Sequence, residues 1–285
     1  MTWLELSKEA AVAKRHQLVR DGYCIIPGMM EAEILEELRA FSADVFRRLP
    51  VDDKYRYQGS DIHVFTPQRF AELGHEHNER MFDDEIVERV VRQPRQLEVS
   101  ERLGLEELVA DDAFILLSKP PHGPPLYWHQ DFTNWNSPEA AAPWPTRIFF
   151  SYYLLNTNRE NGCLRVIPGS HRRRLDLHDT LPDAHSPEIQ ALKADTNHPA
   201  FMDREDAIDV PLQAGDLIIG DARIMHGAWP NETYERRTLV LTWYRVFARN
   251  LTPPSWWNEK LPEALNTFDP EVNYSRRRTP SEFIG

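Results

Sequence analysis

Cysteine is scarce in this chain of 285 residues, with Cys24 and Cys163 the only two. Far apart in sequence, they supply neither a disulfide framework nor a CxxC zinc or redox motif, and a reducing environment is expected. Long apolar runs are missing too. The opening MTWLELSKEAAVAKRH carries a charge every few residues, unlike the uninterrupted apolar core of a signal peptide. No later stretch approaches the length that spans a bilayer, so the expectation is a soluble, cytoplasmic protein with no membrane partner. Positive charge is in deficit: 33 Lys and Arg stand against 45 Asp and Glu, for a formal net charge of -12. That mean field repels a phosphate backbone, and no nucleic-acid partner is expected. Repeats and low-complexity tracts are absent, and nothing in the sequence fixes an oligomeric state.

What is present suffices for a substantial core, since 41% of residues are hydrophobic. A single domain over 1-285 is expected, with 1-110 mostly a helical support region. From Glu31, EAEILEELRAFSADVFRR sets Ile34, Leu35, Leu38, Phe41, Val45 and Phe46 at three- and four-residue spacings along one helix face. Pro27-Gly28 precedes this helix and Pro50 follows it. Another helix is expected from Lys8 to Arg20, ended by Gly22, with YCIIP after it as an edge strand or the start of one.

After about residue 110 the texture changes. AFILLS, RIFFSYYLL, CLRVIP, IDVPL, DLIIG and RTLVLTWYRVF are short, branched or aromatic, and separated by Pro, Gly and Asn. Many short strands without long helices between them imply an antiparallel sandwich or barrel over 111-250, in a mainly β (α+β) protein. YYLLNTNRENGCLRVIP reads as a hairpin, with Asn161-Gly162 supplying positive φ at a tight end. Residues 171-206, polar and mixed in charge, read as an insertion of the kind that covers binding sites.

In YWHQDFTNW a histidine and a carboxylate stand at i and i+2 among aromatic residues. On extended backbone these positions share one side, so His129 and Asp131 converge on a common point. A third ligand is expected downstream, and His226 stands at the end of a strand pair before a Pro-Asn turn. Two imidazoles and one carboxylate on one face of an octahedral ion leave three positions open, the arrangement of non-haem Fe(II) in oxygen chemistry. An H-x-D pair alone also arises by chance among 11 histidines. His77-Asn78-Glu79 is such a decoy, set in a charged helical pattern without aromatic shelter. His75, His122, His171, His178, His185 and His198 fall in polar stretches and read as surface or substrate-contact groups.

LLSKPPHGPPLYWHQDF, then NRENGCLRVIPGSHR, then AGDLIIGDARIMHGAWPNETYERRT resemble, in order, the phytanoyl-CoA dioxygenase family of Fe(II)/2-oxoglutarate-dependent oxygenases. The resemblance spans about residues 113 to 248. It implies a double-stranded β-helix, a cupin-like jelly roll of two facing sheets with flanking N-terminal helices, in agreement with the strand reading. It also implies that Fe(II) is held by His129, Asp131 and His226, with 2-oxoglutarate and O2 as co-substrates and a small molecule as substrate.

The family places an arginine eleven residues past the distal histidine to grip the far carboxylate of 2-oxoglutarate, which here is Arg237, with Arg236 its rival. Alternation puts Arg237 with Leu239, Leu241 and Trp243, and Arg236 with Thr238, Val240 and Thr242, so periodicity alone does not choose. Lys119 matches a place where relatives carry a polar group toward the same co-substrate. Ala228 departs from the family, which has serine there. Tyr127, Trp128, Phe132 and Trp135 are suited to restrict water around an oxidising metal, and Trp135, four past the aspartate, is the candidate pocket wall.

These features together imply hydroxylation or another oxidation of an unactivated C–H bond, with release of succinate and CO2. Asp131 disfavours halogenation, since halogenating relatives have a small residue there. His171, Arg172, Arg173 and Arg174 form a basic knot that would suit either an anionic substrate or the nearby Asp176 and Asp179. The rivals are a cupin-type metalloenzyme without 2-oxoglutarate and a binding jelly roll without catalysis.

Overall fold

The computed structural model describes residues 3–50, 56–57, 59–66, 82–106, 108–131, 144–173, 175–182, 186–192, 194, 197–246 and 254–256. Its first helix, α1 (Lys8–Asp21), starts where the Ser7 side chain accepts a hydrogen bond from the Ala10 amide at 3.2 Å, and ends at Gly22 with φ of 88°. Only glycine suits that end: besides the left-handed backbone, an added Cβ would fall 2.7 Å from His171 Nδ1. Strand β1 (Tyr23–Ile26) follows, and α2 (Ala32–Arg48) buries Leu35, Leu38, Ser42 and Val45, the face expected from its spacing.

The support region is less helical than its composition suggests. Besides α3 (Glu85–Val91) and α4 (Pro94–Arg102), it holds β2 (Arg56–Tyr57) and β3 (Ser60–Phe65). With β1, these join the larger sheet. The remaining strands are β4 (Val109–Lys119), β5 (Leu126–His129), β6 (Arg147–Tyr153), β7 (Leu164–Val166), β8 (Ile208–Val210), β9 (Leu217–Asp221), β10 (His226–Ala228) and β11 (Arg237–Arg245).

They form a seven-stranded sheet, β1-β9-β6-β11-β4-β3-β2, and a four-stranded sheet, β5-β10-β7-β8, and every recorded pairing is antiparallel. Two such sheets face to face are the expected jelly roll.

One strand expectation fails. β6 pairs with β9 and β11 in the large sheet, whereas β7 pairs with β8 and β10 in the small one, so YYLLNTNRENGCLRVIP is not a hairpin. Its polar middle carries the chain from one sheet to the other. Asn158 and Asn161 each accept the other's backbone amide through their side-chain oxygens, at 2.8 and 3.0 Å, building a local turn that needs no partner strand. Gly162 does adopt the positive φ expected of it, 85°.

Alternation sorts the large sheet's side chains into two cores. Phe150, Tyr152, Ile219 and Val240 pack outward with Leu18, Leu38, Val87 and Val99 of the four helices. Phe149, Tyr153, Ile218 and Leu239 turn inward to Leu164, Val166 and Val210 of the small sheet. The insertion covers the small sheet's back, where Leu175, Leu177, Leu181 and Ile189 pack against Tyr127, Trp128 and Met225. It therefore buttresses the strands that carry His129 and His226. Among the described residues no helix is long and apolar enough to cross a membrane.

Candidate metal centre

His129 ends β5 and His226 begins β10, and the two are directly paired across the small sheet. The register shifts between His226 and Ala228, a bulge of the kind that re-aims side chains. The imidazole centroids lie 4.2 Å apart. Each ring is oriented in the same way: His129 Nδ1 bonds the Tyr127 carbonyl at 2.9 Å, and His226 Nδ1 bonds the Ile224 carbonyl at 3.1 Å. A carbonyl only accepts, so both Nδ1 atoms carry the hydrogen and both Nε2 atoms present a lone pair.

Those lone pairs face Asp131. His129 Nε2 lies 3.6 Å from Asp131 Oδ1 and His226 Nε2 lies 3.9 Å from Oδ2. One donor atom from each of the three residues falls within 4.8 Å of the others. Cis ligands about 2.1 Å from one ion stand roughly 3 Å apart, so each His–Asp pair closes on an ion with a contraction of less than about 1 Å. Two neutral imidazoles and one carboxylate suit a divalent transition ion and leave coordination positions open. Trp243 Nε1–H donates to Asp131 Oδ2 at 3.3 Å, steering the carboxylate.

The triad opens on a cavity of about 310 Å³ between the sheets. Its walls include Ile62, Ile115, Leu117, Leu241, Phe149 and Trp243. Arg237 also lines it, on the same β11 face as Leu239, Leu241 and Trp243. The residue is 2% exposed, and among the described residues its Nε and Nη1 have no hydrogen-bond partner. Burial holds its pKa below the usual value, with Tyr153 acting the other way.

Arg236 points elsewhere: it is half exposed and pairs with Asp61 at 2.5 Å. Lys119 is the cross-strand partner of Arg237, but its Nζ donates to the Trp229 carbonyl at 2.7 Å and it is absent from the cavity's lining. Burial, followed by the Arg237 charge, pushes its ammonium well below the ordinary lysine range.

Behind the ligands runs a buried chain of hydrogen bonds. Gln130, between two of the triad, donates through Nε2 to the Arg223 carbonyl, and its Oε1 accepts from His178 Nε2 at 3.0 Å. His178 Nδ1 accepts the Leu175 amide at 2.8 Å, which fixes its tautomer. Arg223 in turn pairs with Asp221 at 2.6 Å, both fully buried.

Several readings of the histidines change accordingly. His178 and His171 are buried rather than superficial, at 6% and 2% exposure, and His171 Nε2 bonds the Val19 carbonyl at 2.9 Å. Of the basic knot, Arg173 lies 3.9 Å from Asp206, whereas Asp176 is taken by Arg204. Trp135, Phe132, Arg174, His75, His185 and the His77-Asn78-Glu79 decoy lie outside the described residues. Trp243, Tyr153 and the Gln130–His178 pair went unread as site groups. For the first two the signal was alternation, which sets Phe149, Ser151 and Tyr153 on the same sheet face as their cross-strand partners Trp243, Leu241 and Leu239; the third is a long-range contact that leaves no local pattern.

Comparison with known proteins adds to this geometry. The family model described as phytanoyl-CoA dioxygenase (PhyH) matches residues 18–239. An ectoine dioxygenase of Bordetella bronchiseptica is 25% identical over 187 residues, which cover 64% of this chain and only 60% of that protein. Among solved structures, the non-heme alpha ketoglutarate dependent epimerase SnoN from nogalamycin biosynthesis is 20% identical with a TM-score of 0.58, covering 84% of each chain. EctD from S. alaskensis with bound Fe is 22% identical with a TM-score of 0.56, covering 85% of this chain and 79% of that one. At these identities the two structures speak for the shared fold.

Proposed function

The chain belongs to the phytanoyl-CoA dioxygenase family, and on that premise we propose that it is an Fe(II)- and 2-oxoglutarate-dependent dioxygenase oxidising a C–H bond of a small molecule. One observation carries the reading: the His129, Asp131 and His226 donors share a buried cavity with Arg237, a cation that has two unpartnered nitrogens. An isolated buried guanidinium is costly, and Lys119 beside it adds a like charge. A carboxylate entering this corner offsets both. The donor set therefore fits the ion, and the corner fits the far end of a dicarboxylic acid.

In this reading His129, Asp131 and His226 hold the iron, with both imidazoles pre-set by backbone carbonyls. Trp243 fixes the carboxylate, and Arg237 grips the distal carboxylate of 2-oxoglutarate in its planar fork. When bound, iron with 2-oxoglutarate and dioxygen supplies oxidative decarboxylation to succinate and CO2, coupled to oxidation of the substrate. The walls of Ile62, Ile115, Leu117 and Leu241 keep water out and favour an apolar portion of the substrate.

The test is succinate release. Purified protein with Fe(II), ascorbate and 2-oxoglutarate is screened against a metabolite library, with succinate measured directly. Iron-dependent succinate formation, raised by at least one compound together with an oxidised product, is expected. Product formed without 2-oxoglutarate would move the protein to the cupin-type metalloenzymes, and no iron-dependent turnover with any compound would leave a binding jelly roll.

A further inference from the structure

The outer face of the small sheet, turned away from the metal cavity, carries one row of residues that crosses all its strands. Leu164 and Val166 of β7 face inward, so alternation sends Arg165 outward. Its neighbours across the ladder are Asp209 of β8 on one side and Gly227 of β10 on the other. Gly227 has no side chain, so the Arg165 guanidinium passes over β10 to β5, where its carbon lies 4.9 Å from the centre of the Trp128 ring. The same carbon is 3.7 Å from the ring of Trp229, the residue after β10. Trp128, Arg165, Gly227 and Trp229 line one cleft on this face.

The row is tied down along its length. Trp229 Nε1–H donates to Asp209 Oδ1 at 2.6 Å, and Trp128 Nε1–H donates to the Met202 carbonyl at 2.9 Å. Arg165 pairs with Asp203 and stands 3.6 Å from Asp209. It is buried, and a cation stacked on indoles away from water gains more than one at an exposed site. A Cβ on Gly227 would crowd the Leu126 carbonyl oxygen at 3.0 Å and touch the Trp128 ring at 3.5 Å, so the crossing depends on glycine there.

This row lies back to back with the candidate metal ligands. Trp128 precedes His129 and Gly227 follows His226, while β5 is the edge strand of its sheet. The β5–β10 ladder is short and bulged, recorded at His226–His129 and Ala228–Leu126 with a register shift between them. Such a ladder fixes the spacing of its strands weakly, and the group that spans it from behind is a planar cation stacked on an indole from each side. We propose that Arg165 is a positioning residue for the metal centre, holding β5 and β10 at the separation that brings His129 and His226 onto one ion. The inference rests on the reading of the triad as an iron site.

The experiment measures metal binding in Arg165→Met, Arg165→Lys and Arg159→Met. Methionine fills the space without the charge, and lysine keeps the charge without the plane. Arg159 is the control: its guanidinium carbon sits 3.9 Å from the Trp229 ring, but it lies outside the strands and is exposed. Fe(II) affinity is read by competition with a chromophoric chelator, and ligand geometry by the visible absorption of the Co(II)-loaded protein, so no turnover is needed. Arg165→Met is expected to weaken binding of both ions by about tenfold, as partners behind a metal ligand do, and to alter the Co(II) bands. Arg165→Lys is expected to share the spectral change, because an ammonium does not stack as a guanidinium does. Arg159→Met is expected to stay within about twofold of the unaltered protein, with the same bands.

Unchanged Fe(II) affinity and Co(II) bands in the Arg165 variants, with only stability to urea lowered, would overturn the proposal and reduce the stack to a brace of the fold. An equal loss of affinity in Arg159→Met would overturn it too, by tracing the effect to net charge and not to the crossing. Where the methionine variant does not fold, the lysine variant decides. Failure of the unaltered protein to bind either ion would instead overturn the reading of the triad and this inference with it.

Discussion

His129 and His226 sit opposite each other at one register position of the β5–β10 pair. The ladder and two backbone carbonyls thus place two of the three candidate metal donors without help from an ion. The third, Asp131, lies just past the end of β5 on the wall of the cavity, where its carboxylate accepts from Trp243. Asp131→Ala is accordingly expected to abolish iron-dependent turnover while moving stability, measured by urea unfolding in the presence of a chelator, by no more than about 1 kcal/mol. A large loss of stability in the apo-protein would mean that Asp131 holds the loop and not the metal.

Arg237 and Arg236 are adjacent in sequence and opposite in environment. Arg237 lies on the cavity face with two unpartnered nitrogens, and Arg236 is half exposed beside Asp61. Arg237→Ala is expected to raise the 2-oxoglutarate concentration at half-maximal turnover by about a hundredfold or more, since a charge-assisted fork is lost. The exposed pair is worth no more than about 1 kcal/mol, so Arg236→Ala is expected to change that concentration less than about twofold. Equal effects in the two kinetic titrations would remove Arg237 from its assigned place.

Trp243 Nε1 lies 3.3 Å from Asp131 Oδ2. Phenylalanine keeps the ring against the cavity but removes the donor. Partners behind a metal ligand are commonly worth about ten- to hundredfold in affinity, and at this longer distance the lower end is expected for Trp243→Phe. Competition with a chromophoric chelator measures it. An unchanged iron affinity would make Trp243 a wall and nothing more.

How much of this was legible depends on the range over which each signal acts. The face of α2 and the strands β4, β6, β9 and β11 follow from local periodicity, and β3 was missed because SDIHVF is short and mixed. The metal triad was legible as chemistry because His129 and Asp131 are close in sequence, with the resemblance supplying His226. The choice of Arg237 over Arg236 came from the spacing that the resemblance implies and not from periodicity, since both faces of β11 are apolar and only the second sheet distinguishes them physically. Pairing across sheets also defeated the hairpin expectation: Asn161-Gly162 fixes a turn, but a turn does not say which strand its neighbours will join. The Gln130–His178 contact spans 48 residues, and nothing local announces it.

That contact makes its own prediction. Gln130 lies between two triad positions, and its side chain is held by the Arg223 carbonyl on one side and His178 on the other. His178→Ala leaves a buried amide oxygen without that partner, for a cost of about 1–3 kcal/mol. Because Gln130 is braced to the backbone leading into His226, iron affinity is expected to fall along with stability. His178→Phe, filling the space without the bond, separates the two effects: chelator competition should show affinity still reduced. Affinity restored by Phe would reduce His178 to a packing residue.

The buried Asp221–Arg223 pair links stability to pH. Burial alone would raise the Asp221 pKa, but the Arg223 charge and its hydrogen bonds outweigh this and hold the carboxyl below its ordinary value. A depressed folded-state pKa means that the pair's contribution is present above the unfolded carboxylate pKa of about 3.9 and is lost as pH falls below about 5 toward the folded value. Asp221→Asn leaves the buried guanidinium uncompensated, at a cost of about 3–5 kcal/mol at pH 7. Urea unfolding at a series of pH values should therefore show the gap between the two proteins wide at neutrality and narrowing in acid, because protonation does to Asp221 what the substitution has already done. Parallel curves across that range would mean that the pair is electrostatically silent and that Arg223 is held by its bond to the Trp144 carbonyl at 3.1 Å.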